Sequence, residues 1–206
     1  MYEKVARRPS LLRLLLAGAL VLAADPWAGH LGAIEVAPNP AQIQEALERG
    51  KAAAVARTPP DRLYAWFGGG DSLEPYGFLM TKLAGIAVMA AHFALRSKTP
   101  GQTDIQQILD DQALLVSVEI FGDHPTFAVD SYMVMVQGAR TVKPVRVRFD
   151  GRASRSSAWP EAPAFRAKVV ASFAYDQLDP QARTKLSVFP GDGGEVSFDL
   201  NFTQIE

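Results

Sequence analysis

From residue 113 to the C-terminal end, apolar side chains return at every second position, and this pattern dictates strands. Leu114, Val116, Val118 and Ile120 alternate with Leu115, Ser117, Glu119 and Phe121. Phe165, Ala167, Val169, Ala171, Phe173 and Tyr175 repeat the pattern, and so do Val196, Phe198, Leu200 and Phe202. A strand turns successive side chains to opposite faces, so each run has one face to bury. Shorter runs at Val145, Val147 and Phe149 and at Leu186 and Val188 fit between them. Residues 126–137 are β-rich too, but change phase near Asp130-Ser131, as a bulge or bend would require. Turn chemistry separates the runs: Gly122-Asp123-His124-Pro125, Gly138-Ala139-Arg140 and Pro190 to Gly194, with a mobile loop expected over residues 150–163. Six strands at this spacing predict an antiparallel β-sandwich of immunoglobulin-like type over residues 112–206, with a small barrel as the competing arrangement. The chain has no cysteine, so apolar packing alone must hold the sheets together.

Residues 25–111 read as mainly helical. Asn39-Pro40 places a capping side chain before a proline at the first helical position. The segment AQIQEALERGKAAAVAR follows, with Ile43, Ala46, Leu47 and Ala54 towards one side, until Thr58-Pro59-Pro60 ends it. Leu63 to Phe67 is a short apolar run, compatible with a strand or a helical turn, before Gly68-Gly69-Gly70. Residues 77–96 are the most apolar stretch after the first thirty residues, with Lys82 the one charge between Gly77 and Leu95. A lysine near a helix centre costs about 2.5 to 3.5 kcal/mol on insertion into a membrane. The stretch is therefore expected to be a buried helix whose small residues pack closely on a neighbour; membrane contact is the alternative. Thr103-x-x-Gln106 has the form of a capping box for a further helix through Leu109. The fold class is α+β, with N-terminal helices packed on the sandwich and residues 25–206 forming one compact unit.

The first 24 residues carry a different message. Lys4, Arg7, Arg8 and Arg13 precede the uncharged run Leu14 to Ala24, which ends in small residues. A basic start, a short apolar core and a small-residue end are the pattern of a secretory signal peptide. Eleven uncharged residues fall short of the roughly 20 that span a bilayer. Residues 1–24 are accordingly read as a signal peptide, and the protein as periplasmic or secreted. Removing them changes the balance from 21 basic and 22 acidic residues to 17 and 21.

Few residues offer chemistry. Gly70-Asp71-Ser72-Leu73 resembles the nucleophile block of the GDSL esterase and lipase family, which implies a catalytic role for Ser72. A serine nucleophile needs a base and oxyanion donors. The family draws these from an Asp-x-x-His near the C-terminus and a Gly-x-Asn-Asp block. Here His30, His92 and His124 follow Trp27, Met89 and Phe121 at that spacing, and Asn39 and Asn201 stand in no such block. The α/β sandwich of that family also conflicts with the β-rich second half. His92 on an apolar helix reads as a core or interface histidine, and Asp123-His124 has no second histidine at metal spacing. No metal site and no cofactor are expected. Glu119, Asp130, Asp176 and Asp199 are carboxylates that only a fold could pair.

One pattern is left. Arg140, Lys143, Arg146, Arg148, Arg152 and Arg155 face a single acid, Asp150, between residues 140 and 155. The remainder of the chain after residue 24 is strongly acidic, with 11 basic and 20 acidic residues. A basic stripe on an acidic protein suits an anionic partner such as lipid headgroups, an envelope polysaccharide or an acidic protein face. Nucleic acid does not fit an exported, net-acidic chain without a platform of interleaved aromatics. The function expected is a non-enzymatic, exported binding or assembly module using this strand and loop surface. The alternatives are an envelope hydrolase built on Ser72 and a membrane-associated accessory protein using residues 77–96.

Overall fold

The computed structural model describes residues 34–204. The expected signal peptide and His30 lie outside the described residues. Two antiparallel sheets carry the fold. The first contains β1 (Ala65–Gly68), β2 (Tyr76–Met80), β3 (Ala113–Gly122), β6 (Arg146–Phe149), β7 (Ser154–Arg155) and β8 (Phe165–Ala174). Its order is β1-β2-β3-β8-β6, and β7 pairs with the other end of β8. The second sheet has the order β10-β9-β4-β5, from β4 (Tyr132–Gln137), β5 (Arg140–Val142), β9 (Arg183–Phe189) and β10 (Val196–Asn201). The two sheets form an open sandwich with free edges, not the barrel considered as its competitor.

The alternating residues do what their spacing demands. Leu114, Val116, Val118 and Ile120 of β3 and Ala167, Val169, Ala171 and Phe173 of β8 are buried. Their registers match, with Val116 opposite Ala171 and Val118 opposite Val169, so the two long strands present one continuous apolar face. Met133, Met135, Leu186, Val188 and Leu200 of the second sheet close the same core. Residues 125–130 are turn rather than the expected strand with a bulge: the turn ends at Asp130, with φ 62°, and β4 starts at Tyr132. Phe67 of β1 meets Phe198 of β10 edge to face at 5.0 Å and joins the sheets along one side. On the other side the chain itself joins them, because only residues 143–145 separate β5 from β6.

Three helices form an annex beside the first sheet: α1 (Pro40–Val55), α2 (Lys82–Ala94) and α3 (Gln102–Leu109). Asn39 caps α1, its Oδ1 accepting from the amides of Ala41 and Gln42 while Gln42 Oε1 accepts from the Asn39 amide. The small residues of α2 serve α1, where Gly50 lies so close that a Cβ would sit 2.1 Å from the Ala87 carbonyl oxygen. Ala84, Ile86, Ala87, Ala90 and Ala91 are buried as a result. None of the described helices is long and apolar enough to cross a membrane.

Several expectations need correcting. Residues 77–96 are not one helix: Tyr76–Met80 is a strand paired on both sides, and α2 begins only at Lys82. Thr81 breaks the run because its side chain caps the helix, accepting from the Ala84 amide at 3.1 Å. Strands β1 and β2 thus come from the stretch read as mainly helical. The cap of α3 is Gly101 with Asp104, whose Oδ2 accepts from the Gly101 amide, and not Thr103 with Gln106. His92 is exposed rather than a core residue. The loop over residues 150–163 is tied down: the Ser156 amide donates to the Ala164 carbonyl, its hydroxyl to the Pro163 carbonyl, and Trp159 packs on Phe165.

Candidate functional site

The six basic residues collect along one edge of the sandwich. Arg140 opens β5, which is paired only to β4. Buried Val142 anchors the end of that strand, and Lys143-Pro144 carries the chain across to the first sheet. There the Val145 amide donates to the Ser172 carbonyl at 2.8 Å and starts the pairing of β6 with β8. Arg146 stands opposite Ser172 and Arg148 opposite Val170, so both share the outer face of the sheet while Val147 packs towards the core. Arg152 and Arg155 continue the edge through β7. All six cations are exposed.

Two further facts separate this edge from an ordinary solvated sheet. First, none of the six makes an ion pair among the described residues, whose salt bridges lie elsewhere. Asp150, the only acid of the stretch, spends its Oδ2 on the Lys168 amide at 2.9 Å. Second, apolar groups are interleaved with the cations: Val145 is 62% exposed and Trp159 43%, with Phe149 between them in sequence. The Arg155 guanidinium lies 4.6 Å from the centre of the Trp159 ring, a stack that holds the charge outward without neutralising it.

Lys168 and Arg166 also belong to this surface, although the sequence reading passed over them. Both occupy outer positions of β8: Arg166 stands opposite Ser154 of β7, and Lys168 lies just past the end of the β6 pairing, its amide bonded to Asp150. Their polar positions in the alternating run were the available sign. They differ in use: Arg166 Nη1 lies 3.1 Å from Glu119 Oε1, whereas Lys168 has no acidic partner among the described residues. Glu119 is buried, and the Tyr76 hydroxyl donates to the same oxygen at 2.8 Å. Burial and this bond push the Tyr76 phenol above its ordinary pKa.

The GDSL tetrapeptide forms the tip of the β1–β2 hairpin. Gly68 and Gly69 both take φ 69°, which lets the Gly69 amide reach the Pro75 carbonyl and close the loop. Gly70 donates its amide to Glu74. Ser72 is exposed, and both its amide and its hydroxyl donate to Asp71 Oδ1. A cleft of about 350 Å³ lies beside the loop, lined by Asp71 and Tyr76 among others but not by Ser72. His124 is engaged elsewhere, its Nε2 3.2 Å from Asp192 Oδ2 and its Nδ1 3.3 Å from Thr126 Oγ1. Among the described residues no histidine hydrogen-bonds Ser72, and no three His, Asp or Glu side chains gather as metal ligands would.

No protein-family model matches the chain, and no curated protein matches it. Among solved structures, it overlaps the archaellum periplasmic stator protein FlaG from Sulfolobus acidocaldarius over 43% of this chain and 86% of that one, with 8% identity and a TM-score of 0.32. The complex of FlaF and FlaG from the same organism overlaps 43% of this chain and 77% of that chain, at 8% identity and a TM-score of 0.27. Overlaps this loose, taking in less than half of the chain, carry neither a fold nor a role across to it.

Proposed function

We propose that this protein is a non-enzymatic, exported binding or assembly module that engages an anionic component of the cell envelope through its basic edge. The observation that carries the reading is the unneutralised state of that edge. Arg140, Lys143, Arg146, Arg148, Arg152 and Arg155 lie exposed without an acidic partner among the described residues, on a chain otherwise rich in acids. Exposed cations that lack internal partners are available to phosphate, sulfate or carboxylate groups, and each contributes about 1 kcal/mol near an anionic surface. Interleaved Val145, Phe149 and Trp159 add contact area that a purely electrostatic patch lacks. The basic and apolar pattern of residues 1–24 supports export. The reading assigns no role to Ser72, whose hydroxyl bonds only Asp71 among the described residues.

The test is retention on vesicles of phosphatidylglycerol and on an acidic polysaccharide, comparing the parent with the double variant Arg146→Glu, Arg148→Glu. Reversing two charges should weaken retention by about tenfold or more, and the loss should shrink as salt is raised. Equal retention of parent and variant on both supports would overturn the proposal.

A further inference from the structure

A second feature, a half-open cavity, lies between the helical annex and the outer face of the first sheet. Its cavity is about 230 Å³, with room for about eight groups the size of a water or methylene. Val88 and Met89 of α2, Ile108 of α3 and Leu115 of β3 give it apolar walls. Two polar groups, Lys82 and Tyr175, share that lining. Lys82 is 8% exposed, and its Nζ donates to the Leu109 carbonyl at 2.6 Å, at the C-terminal end of α3. That bond uses one of three ammonium protons, and no carboxylate lies within salt-bridge distance among the described residues. The lysine backbone opens α2, but its ammonium stands at the carbonyl end of α3, where the helix dipole favours a cation.

Tyr175 is the other group. It is 5% exposed, lines the same cavity, and its hydroxyl donates to no described residue. Lys82 Nζ lies 5.3 Å from the centre of its ring. Burial, reinforced by the Asp111 charge, pushes the phenol far above its ordinary pKa, so it stays a neutral donor; the Lys82 backbone amide leans on the oxygen and pulls weakly the other way. Beyond its bond to Leu109 the ammonium has two protons left to donate to an anion. Asp111 is exposed at the mouth and forms no ion pair with Lys82.

We propose that this cavity binds a medium-chain carboxylate, with the head accepting from Lys82 Nζ and the Tyr175 hydroxyl and the tail between Val88, Met89, Ile108 and Leu115. Two donors and one positive charge match the acceptor oxygens and single charge of a carboxylate. The apolar walls match an alkyl chain of about eight carbons. The site uses none of the residues of the basic edge, so it stands or falls separately from that surface.

Isothermal titration of the full chain with octanoate and with 1-octanol tests it. Octanoate should saturate a single site and bind about tenfold tighter than octanol, the margin expected of a charge-assisted pair. Lys82→Met, folded as judged by circular dichroism, should bind the two ligands equally. Leu115→Trp, which fills the cavity from the half-buried side of β3 and leaves both donors in place, should bind neither. Absence of saturable octanoate binding, an unchanged preference in Lys82→Met, or parental binding by Leu115→Trp would each overturn the proposal.

Discussion

At Gly50 two effects of opposite sign compete, and their sizes decide which wins. Alanine in place of glycine inside a helix is worth about 1 kcal/mol in propensity. A Cβ there would stand 2.1 Å from the Ala87 carbonyl oxygen and 2.7 Å from the Ala90 Cβ, so α1 and α2 would have to move apart. Forcing that displacement on a packed contact costs about 1 to 3 kcal/mol. Gly50→Ala should therefore lower stability by about 1 kcal/mol in urea denaturation, and a gain in stability would show that the contact is slack. Glu195 supplies a pH-dependent case. Its Oε1 accepts from the Ser187 hydroxyl at 2.7 Å and faces Lys185 Nζ at 3.0 Å, and these partners hold its carboxyl below the ordinary glutamate pKa. A group with a lowered folded pKa stabilises the fold above its unfolded pKa and loses that contribution as pH falls through the folded value. Carbon-13 titration should find Glu195 ionising below a free glutamate, and Ser187→Ala should move its midpoint up. An unshifted midpoint in the parent contradicts the bond.

Among the elements, α1 is the one whose start is written most openly. Asn39 satisfies two amides that the first helical turn leaves free, and Gln42 returns a bond to the Asn39 amide. Asn39→Ala removes both acceptor bonds and should cost about 1 kcal/mol, read from the denaturation midpoint at constant m value. Such local signals were legible in the sequence because they depend on neighbours one to four residues away. The long strands were legible for the same reason: alternation from Leu114 to Ile120 and from Ala167 to Phe173 is a property of the strand itself. The break at Met80 was not. Tyr76 to Met80 carry five apolar or small residues next to an apolar helix, and only pairing with Ala65 to Gly68 on one side and Leu115 to Glu119 on the other makes them a strand. The cap of α3 was misplaced because Thr103 and Asp104 offer overlapping capping patterns, and the turn at Gly101 selects the second. Of the surface, the basic stretch was visible as a run of charge. Lys168 and Arg166 were not, since the pairing of β6 and β7 along β8 has to exist before they join the same edge. Lys82 and Tyr175 are 93 positions apart in sequence and meet only because α2 and the turn after β8 are placed together.

For the molecule as a whole, the arrangement of charge matters more than its sum. A chain beginning at Asp25 has 17 basic and 21 acidic residues, so net charge alone would send it to an anion exchanger. Yet six cations occupy the edge built from β5, β6 and β7, and acids such as Asp71, Glu74 and Asp199 belong to the β1–β10 side. Two sheets packed about 10 Å apart, each several strands wide, put those regions beyond the screening length of about 8 Å at physiological salt. Each region then acts on a charged surface as if the other were absent. The chain from Asp25 onward should therefore be retained at physiological salt by a cation exchanger as well as an anion exchanger. Arg146→Glu with Arg148→Glu should abolish the first retention and delay elution from the anion exchanger, because the repelling edge has become attractive. Were the arginines answered internally by acids, net charge would rule, and parent and variant alike would pass the cation exchanger unretained. Retention of the parent alone is the outcome that a segregated basic edge requires.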